Sequence, residues 1–347
     1  MRLDEDLVGD GRQTQHAPGS AVIFGLFDEG VFAAVYYLII FLECLTNQLF
    51  SFNFKRLTDT PTLESKDKFF RKKSTLNCRG KILSLDTPLV MGILNVTPDS
   101  FFADSRLSSL DEVLLRTEHM LRDGADILDL GGYSSRPGAA EVSVDEELDR
   151  VVPAVEAIMQ RFPEAVISVD TFRAKVAEAG IAAGASIIND ISGGNLDEAM
   201  FDTVARLQVP YILMHMRGTP QTMNSLTDYN DLVLEVIDEL QAKVAQLKNL
   251  GVNDVILDPG FGFAKTVDQN FELMHRLEEL RILELPLLVG VSRKSMTYKY
   301  LGIDQSEALA GTIALNTIAL TKGADILRVH DVKETKQTIQ LYTKVTH

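Results

Sequence analysis

The sequence predicts an α/β fold, a (β/α)8 barrel preceded by an N-terminal extension, and three observations predict it. Apolar runs of strand length recur eight times between residue 76 and the C terminus. Each is bounded by turn residues and followed by a segment with helical periodicity. Four of them are introduced at short range by a glycine, Gly124, Gly184, Gly251 or Gly323, as expected where a helix ends in the left-handed conformation and turns into a strand. Strands apolar on both faces and alternating with helices imply a parallel sheet covered by helices. Eight such units fit a closed barrel better than an open doubly wound sheet, which would show a Gly-rich nucleotide turn after its first strand. No GxGxxG stands there.

In order, the runs are LVMGILNV, ADILDLGG, AVISVDT, SIINDISGG, VPYILMH, VILDPGFGF, PLLVGVSRK and ADILRVHD. A barrel builds its site at the carboxyl ends of its strands, so what terminates each run matters most. The ends carry Asn95; Asp129 with GGYSSRPG; Asp170; Asn189 and Asp190; His215; Asp258; Ser292, Arg293 and Lys294; and Arg328, His330 and Asp331. An Asp or Asn at one strand end often caps the next helix, the role expected of Asp190 and Asp331. His215 reads equally as a packed loop residue or a ligand. Eight polar ends together point to one functional rim.

Residues 1–75 read as an extension and linker, poorly ordered or partly helical, ahead of a barrel domain at 76–347. The densest apolar stretch, VFAAVYYLIIFL from Val31 to Leu42, is bounded by Asp28, Glu29 and Glu43. It is shorter than a membrane span requires. The segment before it is acidic, unlike the basic start of a secretory signal. An ordinary hydrophobic hairpin or extension therefore ranks ahead of a membrane-associated helix, with a signal peptide last. From Asn53 to Thr75 the chain is polar and charged and contains Pro61, as a linker would be.

Composition bounds the function. The chain is 46% hydrophobic and 24% charged with a formal net charge of -15, which suits a globular protein and argues against a nucleic-acid partner, since that needs a dense basic face. Its two cysteines, Cys44 and Cys78, show no metal-ligand or CxxC spacing and suit a reducing cytoplasm. Spacing suggests no Ser-His-Asp or Cys-His arrangement, and six scattered histidines make no His-rich metal cluster.

At the rim, Arg136, Lys294, Arg328 and His330 form a cationic group in an acidic protein, which implies a phosphate or pyrophosphate. Three of them follow the seventh and eighth strands, where barrels often hold phosphate. Asp170, Asn189 and Asp258 offer acceptors and an amide suited to a flat heterocycle rich in N–H groups. A structural Asp258–Lys294 ion pair is the alternative for those two.

The ordered motifs MGILNVTPDSF, GGYSSRPGA, SVDT, IINDISGG, LDPGFGF, GVSRK and RVHD resemble the dihydropteroate synthase family of the folate pathway, from about Cys78 to the C terminus. The resemblance implies a TIM barrel that condenses 6-hydroxymethyl-7,8-dihydropterin diphosphate with 4-aminobenzoate, with Mg²⁺ as cofactor and a homodimer as the expected assembly. Carried over motif by motif, Asp170, Asn189, Asp258 and Lys294 would hold the pterin. Asn95 would be the Mg²⁺ and pyrophosphate contact, with Arg136, Arg328 and His330 around the diphosphate. Phe101, Ser135, Pro137, Phe263 and Ser292 would border the 4-aminobenzoate site, where sulfonamides compete in this family. Of these, Asn95, Lys294, Arg328 and His330 would carry catalysis.

One position departs from the pattern. Many members have an Asp eight residues after the motif Asn; here Ala103 stands there and Asp104 follows. The extension also has no family counterpart. The nearest rival is a pterin-binding methyltransferase, which needs no anion cluster; a binder without catalysis has only the change at Ala103 in its favour.

Overall fold

The structure is a computed structural model that describes residues 73–96, 106–133 and 142–346. All eight apolar runs become strands of one parallel sheet. They are β3 (Leu89–Asn95), β4 (Ile127–Gly131), β5 (Ile167–Asp170), β6 (Ile187–Asp190), β7 (Tyr211–Met214), β8 (Val255–Asp258), β9 (Leu288–Val289) and β10 (Ile326–Val329). The spatial order β8-β7-β6-β5-β4-β3-β10-β9 is closed on itself by a parallel bridge between Leu257 and Leu287.

Helices follow the strands as the periodicity requires: α1 (Arg106–Asp123), α2 (Val144–Arg161), α3 (Ala174–Ala183), α4 (Met200–Leu207), α5 (Leu232–Asn249), α6 (Val267–His275), α7 (Ser295–Leu301), α8 (Leu309–Thr321) and α9 (Val332–Thr346). The four introducing glycines all have positive φ, the backbone state that lets a helix stop and the chain re-enter the sheet.

Side chains alternate across a strand, which sorts the barrel into layers. One parity, with Leu128, Leu130, Val169, Leu213, Leu257 and Leu327, packs outward in the large core beneath the helices. The other parity faces the barrel axis. Met91, Ile127, Val166, Ile187, Ile212, Ile256, Leu288 and Ile326 form an aliphatic floor. Two residues further along four of these strands stand Asp129, Asn189, Asp258 and Arg328, on the same face and one layer nearer the carboxyl rim. The polar site therefore rests directly on a dry floor.

The floor is sealed by a feature outside the repeat, an antiparallel hairpin of β1 (Thr75–Cys78) and β2 (Lys81–Ser84). Leu76, Cys78 and Leu85 pack into the floor cluster. Its turn, Arg79-Gly80, has positive φ at both residues, the conformation that matches the twist of a two-residue hairpin. Arg79 donates to the carbonyl of Ile181 at 2.9 Å, near the C-terminal end of α3, where a cation is favoured. Lys73 pairs with Asp254 at 2.5 Å and donates to the Asn253 carbonyl at 2.7 Å. The barrel's N-terminal edge thus lies a little ahead of residue 76.

Among the described residues no helix is long and apolar enough to cross a membrane. Val31–Leu42 and Cys44 lie outside the described residues.

Candidate active site

A cavity of about 530 Å³ opens at the carboxyl rim, within the usual range for small-molecule sites. The strand ends deliver Asn95 from β3, Asp170 from β5 and Arg328 from β10, with His330 just beyond. Phe263 follows β8, and Ser292 and Lys294 follow β9. These seven predicted site residues line one cavity. Phe101, Ser135, Arg136, Pro137, Ala103 and Asp104 lie outside the described residues.

Arg328 organises the interior. Its Nε donates to Asp129 and its terminal nitrogen to Asp170, both at 2.6 Å. Asp129 also accepts from the Asn189 amide at 3.1 Å. Three strand ends are thereby joined through one guanidinium, a planar fork suited to carboxylates. Burial pushes the Asp170 carboxyl up to about 7 against the pull of Arg328. Asp129 is fully buried and its second carboxylate oxygen has no partner among the described residues. The sequence placed Asp129 at the rim without giving it a role; the signal was there in the repeated pattern of Ile, any residue, then a polar residue on β4, β6, β8 and β10.

Lys294 donates to the carbonyl of Phe261 and lies over the ring of Phe263, 4.7 Å from its centroid. Burial lowers its ammonium to about 8, while Asp258 opposes that shift. Asp258 itself is buried, raised by desolvation, and accepts the Gly260 N–H at 2.8 Å. Among the described ion pairs none joins Asp258 to Lys294; they act on each other through space. Asn189 and Asp258 lie beneath the cavity lining, in the buried layer.

Ser292 serves His330 directly. Its Oγ accepts the His330 backbone N–H at 3.1 Å and lies 3.1 Å from the ring Nδ1, which orients the imidazole toward the cavity. Arg293, in the same SRK motif, turns to Asp331 in a bidentate pair at 2.8 and 2.9 Å. Asp331 is therefore an ion-pair partner as well as a residue at the start of α9, and Arg293 holds two rim segments together. Asp190, expected as a helix cap, instead accepts from Ser192, Gly194 and the Tyr211 hydroxyl. It stiffens the turn after β6. His215 is packed and held by Lys265 at 3.0 Å.

Tyr133, Met223 and Tyr298 complete the mouth. Tyr133 meets Phe172 edge-on at 5.2 Å, and Arg173 lies over both rings. No spacing rule marks these residues, because they converge from separate elements, Tyr298 from α7 and the others from connections between elements.

Residues 91–330 match the family model described as pterin binding enzyme. The dihydropteroate synthase of Escherichia coli is 46% identical over 268 residues, covering 77% of this chain and 94% of that protein. The synthase of Synechocystis is 47% identical over 72% of this chain and 86% of its own length. Among solved structures, the Yersinia pestis dihydropteroate synthase in a sulfonamide drug complex superposes with a TM-score of 0.73 at 44% identity, covering 78% of this chain and 99% of that one. That of Xanthomonas albilineans in complex with 7,8-dihydropteroate gives 0.71 at 36% identity, with 78% and 98% covered. The barrel, its carboxyl-rim site and these likenesses agree, and the chain belongs to the dihydropteroate synthases of the pterin-binding enzyme family.

Proposed function

We propose that the rim cavity binds 6-hydroxymethyl-7,8-dihydropterin diphosphate and 4-aminobenzoate and joins them as 7,8-dihydropteroate, releasing pyrophosphate. The observation that carries this reading is the placement of Lys294, Arg328 and His330 beside buried carboxylates at one rim. Asp170, Asn189 and Asp258 are the acceptors for the pterin's N–H edge, with Lys294 closing that pocket. Arg328 and His330 face the diphosphate, where negative charge grows as the carbon–oxygen bond breaks. The arylamine is neutral near pH 7, so attack requires no strong base, and its surplus proton leaves afterwards. Rate enhancement then comes chiefly from positioning and fixed electrostatics.

Mg²⁺ fits this arrangement. Asn95 offers a hard amide oxygen at the cavity edge, and Mg²⁺ commonly takes few protein ligands, completing its shell with substrate phosphates and water. When bound, the ion would neutralise charge on the leaving diphosphate. Sulfonamides would compete at the 4-aminobenzoate side, bordered by Phe263 and the stretches containing Phe101, Ser135 and Pro137. A reducing, cytoplasmic setting suits the buried Cys78 thiol, which burial pushes up to about 12 and so leaves unreactive.

The assembly is a homodimer in this reading. α8 and α9 pack together and expose Ile318, Leu341 and Val345, an apolar surface that a second copy would cover.

Purified protein with Mg²⁺, the pterin diphosphate and 4-aminobenzoate should release pyrophosphate stoichiometrically with dihydropteroate. A pterin binder or methyltransferase would release none. Asp258→Ala should abolish pterin binding by calorimetry; undiminished binding would remove Asp258 from the pocket.

A further inference from the structure

The loop after β8 carries Phe263 and the Phe261 carbonyl that Lys294 grips, and the Gly260 N–H is tied back to Asp258. The loop's further support is a buried side chain the reaction does not use. Lys265 is 8% exposed, and its Nζ lies 3.0 Å from His215 Nδ1, 3.1 Å from the Gly260 carbonyl and 3.1 Å from the Phe263 carbonyl. Burial lowers Lys265 to about 7; in its protonated form the ammonium has three donors, and here each has one acceptor. In that form it only donates, so His215 Nδ1 accepts and the ring proton sits on Nε2, 3.0 Å from the Glu239 carboxylate though poorly aligned with it. Glu239 is in turn held by Arg217 at 2.5 Å.

The backbone leaves little room for the loop to adopt another course. A Cβ at Gly260 would lie 2.0 Å from the His215 carbonyl oxygen, so the strand ends of β7 and β8 touch through a residue that only glycine can fill. Asn270 of α6 accepts the Gly262 N–H at 2.6 Å. Lys265 sits at the centre of these ties.

We propose that Lys265 is a positioning residue for the synthase reaction: with His215 and Glu239 it clamps the Gly260–Phe263 turn and so sets where Phe263 and Lys294 meet the substrates. Only the kinetic half of its test rests on the reaction proposed above. The chain contains no tryptophan, so Phe263→Trp makes a single reporter on the clamped turn, readable without turnover. Adding Lys265→Met to Phe263→Trp should lower the anisotropy of that reporter and shift its emission to the red while cooperative melting persists. In the kinetic half, Lys265→Met should cut kcat/KM about tenfold, and combining it with Phe263→Ala should cost little beyond Phe263→Ala alone, as expected of two residues acting through one contact. An unchanged reporter signal, or kinetic losses that multiply, would overturn the proposal. If Lys265→Met does not fold, His215→Leu carries the same test through the lost acceptor, and His215→Gln, which keeps an acceptor and a donor, should restore the reporter signal. Wild-type signal in His215→Leu, or failure of His215→Gln to restore it, would equally count against the clamp.

Discussion

Arg328 holds two carboxylates, so truncating it does more than remove a phosphate ligand. Arg328→Ala leaves the buried Asp129 and the half-buried Asp170 without their counter-ion, and an uncompensated buried charge, here that of Asp129, costs roughly 3–5 kcal/mol. Expected together are a fall in thermal stability and loss of pyrophosphate release. A variant that melts like the wild type would show that the guanidinium is not what keeps these carboxylates apart. His215 makes a separate prediction in acid. Burial lowers its imidazole to about 4, with Lys265 acting the same way, so between about 6.5 and 4 the unfolded chain takes up a proton that the folded chain refuses. Stability therefore falls as pH drops through that window, by on the order of 3 kcal/mol from this group. His215→Gln should flatten the denaturation profile between those pH values; an unchanged slope would mean that the ring is already charged in the fold.

At the scale of elements, the β1–β2 hairpin is, among the described residues, the one strand pair the repeat did not announce. It begins where the polarity of the linker continues, and its turn is Arg-Gly rather than the Asn-Gly that marks a hairpin most strongly. Yet Leu76 is fully buried against the barrel floor. Leu76→Ala should cost about 2–5 kcal/mol, read from chemical denaturation. A chain starting at Lys73 should keep full turnover because it retains the pairing to Asp254, whereas one starting at Leu85 should lose stability through the opened floor. The eight barrel strands were legible because each is buried on both faces and so is apolar throughout. Polar residues at or near the ends of the runs, such as Asn95, Asp170, Asn189 and Asp258, were legible for the same reason, as breaks in an apolar pattern. Met223 and Lys265 were not, because residues outside the repeat obey no period and meet only after the barrel closes.

For the molecule as a whole, the net charge of -15 contrasts with a rim where Lys294, Arg328 and His330 converge. That arrangement concentrates attraction for a multivalent anion at one opening. The exposed apolar residues of α8 and α9 belong to this scale too. Sedimentation should show a dimer that Ile318→Lys weakens, and a wild-type monomer at all concentrations would dismiss that assembly. The sequence by itself determined the fold class, the strand ends that carry the site and the family, because burial and periodicity are written locally and the motifs lie in order. It did not determine partnership. Whether Asp258 paired with Lys294, which way Arg293 turned, what Asp129 was for and what held the Phe261–Phe263 turn were decided only by tertiary structure. Those are choices among donors and acceptors on different strands, and they are made by distances that exist only once the barrel has brought the strand ends together.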